Sequence, residues 1–351
     1  MPHSIKKLQP EKILIRSTNW IGDAIMTTPA VRTIRENFPE AHIAILSHPW
    51  VADVFRASPH VDEVIEYKKK TEHIGIAGIW RLGRQLATHD FDLTILLQNA
   101  FEAAVIARIA RIPAIAGYST DGRGGLLTHG VKLKKSIKQL HQVYYYQNIM
   151  KELGLVCGPD ELFLQLTPKV VQWARQFVKD KKAGPVIGLN PGAAYGPAKR
   201  WPDEKYGRLA GRLASELSAT MLVFGTAADQ EATAVISGFA PDNVIDLAGK
   251  TTLEEAMALI SVCDAFVTND SGLMHVGAAL KTPLAAIFGS TDAVATGPFS
   301  DNSVVIQKDL PCSPCLKETC KTDFRCMMDI HVEEVLEAVK KLLADNSLHK
   351  A

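Results

Sequence analysis

The sequence predicts an α/β protein with two doubly wound parallel-sheet domains in tandem. First, the chain has 351 residues, more than one hydrophobic core usually serves. Second, short apolar runs alternate with helical patterns, which indicates βαβ units. Third, the alternation restarts after residue 184, and its strands are apolar enough for sheets covered on both faces. Because ligands of such sheets bind at the carboxyl ends of strands, we expect the two domains to face a cleft.

The first domain is predicted over residues 1–165. Its strands are rich in isoleucine and leucine, and its helices carry apolar residues at helical spacing. The predicted strands are 13–16, 42–47, 64–67 and 93–97, and the predicted helices are 24–37, 82–88 and 102–111.

A linker is predicted at residues 166–184 and a second domain at 185–351. Thr252 and Glu255 have capping-box spacing, which predicts a helix start. The predicted strands are 186–189, 221–224, 244–247, 265–268 and 284–288, and the predicted helices are 203–217, 231–239, one opening at 251, one opening at 271 and a terminal one at 333–343.

Composition narrows the class of protein. Apolar residues make up 47% and charged residues 22% of the chain, an ordinary globular mixture. The net charge of +1 does not indicate a nucleic-acid binder. No run of about 18 apolar residues and no apolar signal-peptide core occur, so we expect a cytoplasmic protein with only peripheral contact with the inner membrane. Residues 1–160 hold 20 Lys and Arg against 15 Asp and Glu. This excess of positive charge could face an anionic acceptor or a membrane surface, or it could be ordinary variation between domains.

Several common site motifs do not occur. The sequence contains no Gly-x-Gly-x-x-Gly dinucleotide loop, no P-loop and no Gly-x-Ser-x-Gly nucleophile elbow, which argues against the enzyme classes that use them. No Asp-x-Asp pair follows a predicted strand to hold a divalent ion.

The turn after the first predicted strand, residues 17–23, is the first candidate site. It contains Asn19, Gly22 and Asp23. Gly22 permits a tight turn or a close approach of a ligand. Asp23 could act as a general base, or it could cap the helix predicted from residue 24.

The segment 190–202 follows the first strand of the second domain. Gly192 and Ala194 are small enough for a ligand to approach the backbone, and Tyr195 lies beside them. Lys199 and Arg200 add positive charge next to a helix start, which suits a diphosphate. A solvated basic turn is the alternative.

Two more strand-to-helix turns carry polar residues. In the first, the backbone N–H groups of Ser271, Gly272 and Leu273 could hold phosphate or sugar oxygens. Ordinary capping by Asp270 or Ser271, with His275 packed in the core, is the alternative there. In the second turn, Asp229 and Glu231 could bind ribose hydroxyls, or could only stabilise the first helical turn.

Four cysteines cluster near the carboxyl terminus, within residues 312–326. Four thiolates could bind zinc, but the second pair is loosely spaced, which favours a structural or redox-inert cluster. We therefore expect no metal and no other cofactor. The cluster comprises Cys312, Cys315, Cys320 and Cys326.

Four motifs together resemble the ADP-heptose:lipopolysaccharide heptosyltransferases, glycosyltransferase family 9. They are W-I-G-D at 20–23, N-P-G-A-A-Y-G-P-A-K-R-W-P at 190–202, L-A-G-K-T-T-L at 247–253 and T-N-D-S-G-L-M-H at 268–275. The resemblance covers nearly the whole chain. The second motif is most similar to the heptosyltransferase II branch of the family.

The resemblance implies a GT-B fold, in which the first domain binds the lipid A-core acceptor and the second binds ADP-heptose. It matches Asp23 to the family's acidic base and Lys199 to its diphosphate-binding lysine. Its donor turn falls on residues 270–272, and its ribose-binding acid falls near Asp229 or Glu231. The substrate-binding candidates are Asn19, Gly22, Gly192, Ala194, Tyr195, Arg200, Asp229, Glu231, Asp270, Ser271, Gly272, Leu273 and His275.

The implied reaction is an inverting, metal-independent transfer of L-glycero-D-manno-heptose from ADP-heptose to the heptose of the lipopolysaccharide inner core. Two alternatives stay open. One keeps the fold but uses another core position, as heptosyltransferases I and III do, or another nucleotide-sugar donor. The other is a nucleotide-binding protein whose catalytic site has decayed.

Overall fold

Two compact units make up the chain, Met1–Gln165 and Leu166–Ala351. The structure, a computed structural model, describes residues 4–179 and 184–350. Each unit is built around one six-stranded sheet in which all neighbouring strands are parallel. The predicted α/β fold class is therefore confirmed.

The first unit alternates strands and helices from its start to its end. Its strands are β1 (Lys12–Arg16), β2 (His42–Ser47), β3 (Glu63–Glu66), β4 (Leu93–Leu96), β5 (Ala114–Tyr118) and β6 (His129–Val131). Its helices are α1 (Ile21–Met26), α2 (Thr28–Asn37), α3 (Pro49–Arg56), α4 (Gly75–Leu86), α5 (Phe101–Ile109) and α6 (Gln142–Glu152).

The strand order in the first sheet is β3-β2-β1-β4-β5-β6. The chain therefore winds outward from β1 in one direction and from β4 in the other. In open α/β sheets, the reversal between two such strands leaves a crevice at their carboxyl ends, where ligands bind. The turns after β1 and β4 lie at this position.

The second unit begins with a helix and then repeats the alternation. Its strands are β7 (Val186–Asn190), β8 (Thr220–Val223), β9 (Val244–Asp246), β10 (Ala265–Asn269), β11 (Leu284–Phe288) and β12 (Ser303–Gln307). Its helices are α7 (Pro168–Lys179), α8 (Asp203–Leu217), α9 (Gln230–Phe239), α10 (Leu253–Ser261), α11 (Gly272–Ala279), α12 (Ala293–Thr296), α13 (Arg325–Met328) and α14 (Val332–Lys350).

The second sheet has the order β12-β11-β10-β7-β8-β9, so its reversal lies between β7 and β10. A large apolar core lies between this sheet and the helices α8 and α14. Trp201 and Tyr206 pack edge to face in this core, with ring centroids 5.0 Å apart. Trp201 Nε1 also donates to the carbonyl of Ile330 at 3.1 Å, which ties the segment before α8 to the chain before α14.

The predicted linker, residues 166–184, contains the helix α7. Its residues Val170, Ala174 and Val178 are buried and recur every four residues, as on one face of a helix. Pro168 suggested a linker, but it occupies the first helical position, where its missing N–H costs nothing. Thr167 Oγ1 donates to Glu254 Oε1 at 3.1 Å, which places the start of α7 beside α10.

The helix predicted over 24–37 is in fact two helices, because Thr27 interrupts it. Pro29 has no N–H to donate to the carbonyl of Ile25. Thr28 Oγ1 donates to that carbonyl instead, at 2.7 Å. The first of the two helices starts at Ile21, three residues before the predicted start.

Other differences concern elements with weak sequence signals. The helix α4 begins at Gly75, seven residues before the predicted start at 82. The strands β6 and β12 lie at sheet edges and are partly exposed, so they lack the apolar run of a central strand. The elements β5, α3 and α6 were also not predicted. Within the described part of the chain, no helix is both long and apolar enough to cross a bilayer.

Candidate functional site

Two of the predicted site segments meet at the strand reversal of the second unit. Because β7 and β10 are adjacent and parallel, the loops that follow them leave the same edge of the sheet. Asn190 Nδ2 donates to Thr268 Oγ1 at 2.9 Å and to Ser271 Oγ at 2.8 Å. Asn269 Nδ2 donates to the carbonyl of Pro191 at 2.7 Å. These bonds join the segments 190–202 and 268–275 into one polar edge.

Lys199 and Asp270 form an ion pair at this edge. Lys199 Nζ lies 2.6 Å from Asp270 Oδ2, and the two side chains are 15% and 6% exposed. Lys199 Nζ also lies 5.2 Å from the centroid of the Tyr195 ring, within cation–π distance. The predicted diphosphate-binding cation is therefore fixed in place by an acid and an aromatic ring.

Arg200 pairs with another candidate, Asp229. Arg200 Nη2 lies 3.3 Å from Asp229 Oδ1. Asp229 Oδ2 accepts from the Thr226 N–H at 2.9 Å and from Thr226 Oγ1 at 2.7 Å, as a capping acid does. A Cβ atom added at Gly192 would lie 3.1 Å from Asp229 Oδ2. The turn before α9 thus joins the same edge, while Glu231 is exposed to solvent.

The start of α11 presents the predicted anion-binding turn. Ser271 is the N-cap residue, and its Oγ accepts from the Met274 N–H at 3.4 Å. Gly272 and Leu273 follow as the first helical residues, and both are partly exposed. His275 is buried, as expected if it packs in the core.

The sequence did not predict that the cysteine-rich segment 312–326 contacts the segment 190–202. The carbonyl of Glu318 accepts from the Ala198 N–H at 3.0 Å, and Tyr195 Oη donates to the carbonyl of Leu316 at 3.1 Å. Gly196 has φ +153°, and a Cβ atom there would lie 2.5 Å from the Glu318 carbonyl oxygen. No local sequence signal could reveal these contacts, because they join residues more than 100 positions apart.

The four clustered cysteines line a small cavity of about 60 Å³ beside Ala198. All four are free. Burial raises the pKa of the Cys326 thiol to about 11, and the neighbouring thiols add to that shift. Among residues 4–179 and 184–350, no group of three or more His, Cys, Asp or Glu side chains is placed to hold a metal ion.

In the first unit, Asp23 is the third residue of α1, and Trp20 is the N-cap. The interpretation of Asp23 as the cap of a helix starting at residue 24 is therefore wrong, since the chain is already helical there. Gly22 is buried beside it. Burial raises the pKa of the Tyr146 phenol, and the negative charge of Asp23 raises it further, which places the carboxylate near α6.

A buried arginine that was not predicted holds the turn after β1. The Arg16 guanidinium donates to the Ser17 carbonyl at 2.5 Å and to Asn19 Oδ1 at 3.0 Å. Burial lowers its pKa to about 10, while Tyr67 and Glu102 oppose the shift. Trp50 Nε1 donates to the Asn19 carbonyl at 2.9 Å. An arginine ending an otherwise apolar strand was the available signal.

The turn after β4 contributes a second polar group to the same edge. Arg123 Nη2 donates to Asn99 Oδ1 at 3.1 Å, and Asn99 Nδ2 donates to Tyr145 Oη at 2.6 Å. A cleft of about 470 Å³ opens beside them. It is lined by Asn99, Thr120, Asp121, Leu133, Lys138, Gln142, Tyr145 and Tyr146. Tyr146, whose pKa the charge of Asp23 raises, is one of the residues that line this cleft.

Comparisons with known proteins agree with these observations. Residues 79–324 match the family described as glycosyltransferase family 9 (heptosyltransferase). The chain is 32% identical to lipopolysaccharide heptosyltransferase 2 of Salmonella typhimurium, over 96% of this chain and all of that protein. This is the branch that the segment 190–202 indicated.

Solved structures give the same result. The structure of E. coli ADP-heptose lps heptosyltransferase II matches with a TM-score of 0.82 and 31% identity, over 96% of this chain and 99% of that one. The structure of E. coli heptosyltransferase WaaC with ADP-2-deoxy-2-fluoro heptose matches with a TM-score of 0.71 and 20% identity, over 94% and 99% of the two chains, and is similar in fold. The expected two-sheet architecture of the GT-B fold is confirmed, and the chain belongs to glycosyltransferase family 9, the heptosyltransferase family.

Proposed function

We propose that this enzyme transfers L-glycero-D-manno-heptose from ADP-heptose to the heptose of the lipopolysaccharide inner core, with inversion and without a divalent metal. The observation that carries the proposal is the polar edge of the second unit, where the segments 190–202 and 268–275 converge. Its residues belong to two motifs that resemble the heptosyltransferase family, and the segment 190–202 is most similar to the heptosyltransferase II branch. The relatives named heptosyltransferase 2 support the same reaction.

The donor site is proposed at this polar edge. Lys199, Arg200 and the first backbone N–H groups of α11 would receive the diphosphate of ADP-heptose. Asp270 and Asp229 hold the two cations in place, so little reorganisation is needed when the leaving group gains negative charge. Donors that are already oriented stabilise such charge more strongly than mobile ones, and this is our argument for a reaction without a metal.

The acceptor is proposed to bind the first unit, with its reacting hydroxyl at Asp23 and its sugars along the cleft that contains Lys138 and Tyr145. The Asp23 carboxylate takes the hydroxyl proton as the oxygen attacks the anomeric carbon of the donor. The bond between that carbon and the diphosphate oxygen breaks, and ADP leaves. A positioned base of this kind typically contributes about 10²–10⁴-fold to the rate.

The test is ADP release by the purified chain, supplied with ADP-heptose and heptosyl-Kdo2-lipid A in EDTA. We expect release that requires the acceptor and is unchanged by EDTA. Loss of release in EDTA, with recovery when Mg²⁺ is added, would contradict the metal-free mechanism. Faster release with Kdo2-lipid A that lacks heptose would identify a heptosyltransferase I instead, and a preference for UDP- or GDP-sugars would refute the donor assignment.

A further inference from the structure

The helix α4 of the first unit exposes large apolar side chains to solvent. Ile74, which precedes the helix, is 62% exposed, Ile76 is 87% exposed and Trp80 is 59% exposed. Ile76 and Trp80 are one helical turn apart and therefore share a face. Soluble proteins rarely expose adjoining large apolar groups unless they bind a partner. We call these three residues the α4 patch.

The backbone around the α4 patch is firmly held. The carbonyl of Lys68 accepts from the N–H groups of Thr71, Glu72 and His73 at 3.0 to 3.1 Å, and His73 Nδ1 accepts from the Lys68 N–H at 3.1 Å. A Cβ atom added at Gly78 would lie 2.0 Å from the carbonyl carbon of His73. The turn 68–74 thus packs directly on the first part of α4, and this fixes the outward position of the patch.

Cations surround the α4 patch. Residues 68–85 contain five Lys or Arg and one acidic residue, Glu72. Arg81 and Arg84 are exposed on α4 itself, and Lys70 is exposed on the preceding turn. Apolar side chains including Trp, flanked by Lys and Arg, are typical of helices that lie in the interface of an anionic bilayer.

The patch is connected to the turn that carries the predicted base. Lys70 Nζ lies 5.1 Å from the Trp50 ring centroid, and Trp50 Nε1 donates to the Asn19 carbonyl. Trp50 therefore links the turn 17–23 to Lys70, one of the cations beside the patch.

We propose that the α4 patch docks the first unit on an anionic lipid bilayer. Ile76 and Trp80 enter the boundary between headgroups and acyl chains, while Lys70, Arg81 and Arg84 contact lipid phosphates. The benefit to catalysis rests on the proposed function, because a lipid-linked acceptor projects from that bilayer. Docking itself does not depend on turnover and is measured without substrates.

The experiment is co-sedimentation of the full chain with vesicles of phosphatidylethanolamine and phosphatidylglycerol. Transfer of one large apolar side chain out of water changes partitioning by roughly tenfold or more, so Ile76→Ser with Trp80→Ser should weaken binding at least about tenfold. Lys70→Gln should weaken it about fivefold at low salt, since one cation near an anionic surface contributes on that scale. The matched control is Val156→Ser with Val235→Ser, which changes two apolar residues that are exposed elsewhere and should bind like the native chain.

Turnover with a water-soluble, deacylated acceptor separates docking from misfolding and from failure of the proposed function. We expect the patch variant to retain native turnover there, while vesicle binding is lost. Native vesicle binding by the patch variant would overturn the proposal. So would a native chain that ignores vesicles but self-associates through Trp80, because a second copy would then be the occupant.

Discussion

At the residue scale, the ion pair between Lys199 and Asp270 has separable roles in stability and in donor binding. Lys199→Met would leave the Asp270 carboxylate largely buried without its cation, and breaking a buried pair in this way costs about 3–5 kcal/mol. Adding Asp270→Asn removes the unpaired charge, so the double variant should regain most of the lost free energy of unfolding. Urea unfolding measures this difference.

The same variants should not recover donor binding. Both lack the cation proposed to meet the diphosphate, so ADP affinity measured by calorimetry should be weak in Lys199→Met and stay weak in the double variant. A double variant that is no more stable than Lys199→Met would show that the pair is not the source of the loss. Native ADP affinity in either would contradict the donor assignment.

The sequence predicted residue types at the site better than their contacts. Lys199, Asp229 and Asp270 were identified from their motifs, but Lys199 and Asp270 are 71 positions apart, so no local spacing predicts that they pair. Arg16 was not proposed, since a charged residue at the end of a strand usually faces solvent. Only the fold shows that carbonyl and amide oxygens surround its guanidinium.

At the scale of elements, the cysteine-rich segment contacts the proposed donor-site loop, residues 190–202. Gly196→Ala would place a Cβ atom against the Glu318 carbonyl and force a backbone angle that L-residues rarely adopt. We expect the loop to shift. The KM for ADP-heptose should therefore rise, while the melting temperature should change little. Steady-state kinetics and thermal unfolding check this expectation.

Gly238→Ala is the matched control, since nothing lies within 4 Å of a Cβ atom there and the residue is within α9. It should leave the KM unchanged and stabilise the helix by roughly 0.5–1 kcal/mol. An unchanged KM in Gly196→Ala would mean that the contact with Glu318 does not position the loop.

Elements were predictable where their apolar pattern was strong. The central strands β1, β2, β7, β10 and β11 are almost wholly buried and were predicted within a residue or two. The edge strands β6 and β12 are partly exposed and lack a continuous buried run, whereas the edge strands β3 and β9 were predicted. The helix α7 was assigned to a linker because Pro168, with the other prolines and glycines nearby, was taken to indicate a connecting segment. Pro168 is in fact the first residue of the helix.

At the scale of the whole molecule, mild acid should destabilise the first unit through His48 and His73, which are buried, and His60, which is partly buried. Burial lowers the pKa of His48, His60 and His73 below 6.5. The unfolded chain therefore binds more protons than the folded unit once the pH falls below about 6.5, and acid favours unfolding. The stabilising effect of keeping them neutral is complete above that pH and is lost as the pH falls through it.

Urea unfolding at pH 7 and at pH 5.5, followed by tryptophan fluorescence, measures this effect. The free energy of unfolding should fall with pH, and His60→Gln should reduce the slope. A free energy that is the same at both pH values would contradict this account of the three histidines.

The two units share the same winding of their sheets although their sequences show no close repeat. Each places its polar residues at the carboxyl edge beside the strand reversal, as expected for this architecture. The proposed roles, donor binding in the second unit and acceptor activation in the first, follow from the side chains at each edge. The second unit offers cations and a helix start, and the first offers a carboxylate beside a cleft.

The most direct measurement is single-turnover heptose transfer by Asp23→Asn, with Asp53→Asn as the matched control. Asp53 lies on α3 and pairs with Arg56, and it is not among the residues of the proposed donor or acceptor site. We expect native ADP affinity in both variants, with the transfer step slowed by about 10²–10⁴-fold only in Asp23→Asn. Transfer at the native rate by Asp23→Asn would contradict the proposal that this carboxylate activates the acceptor.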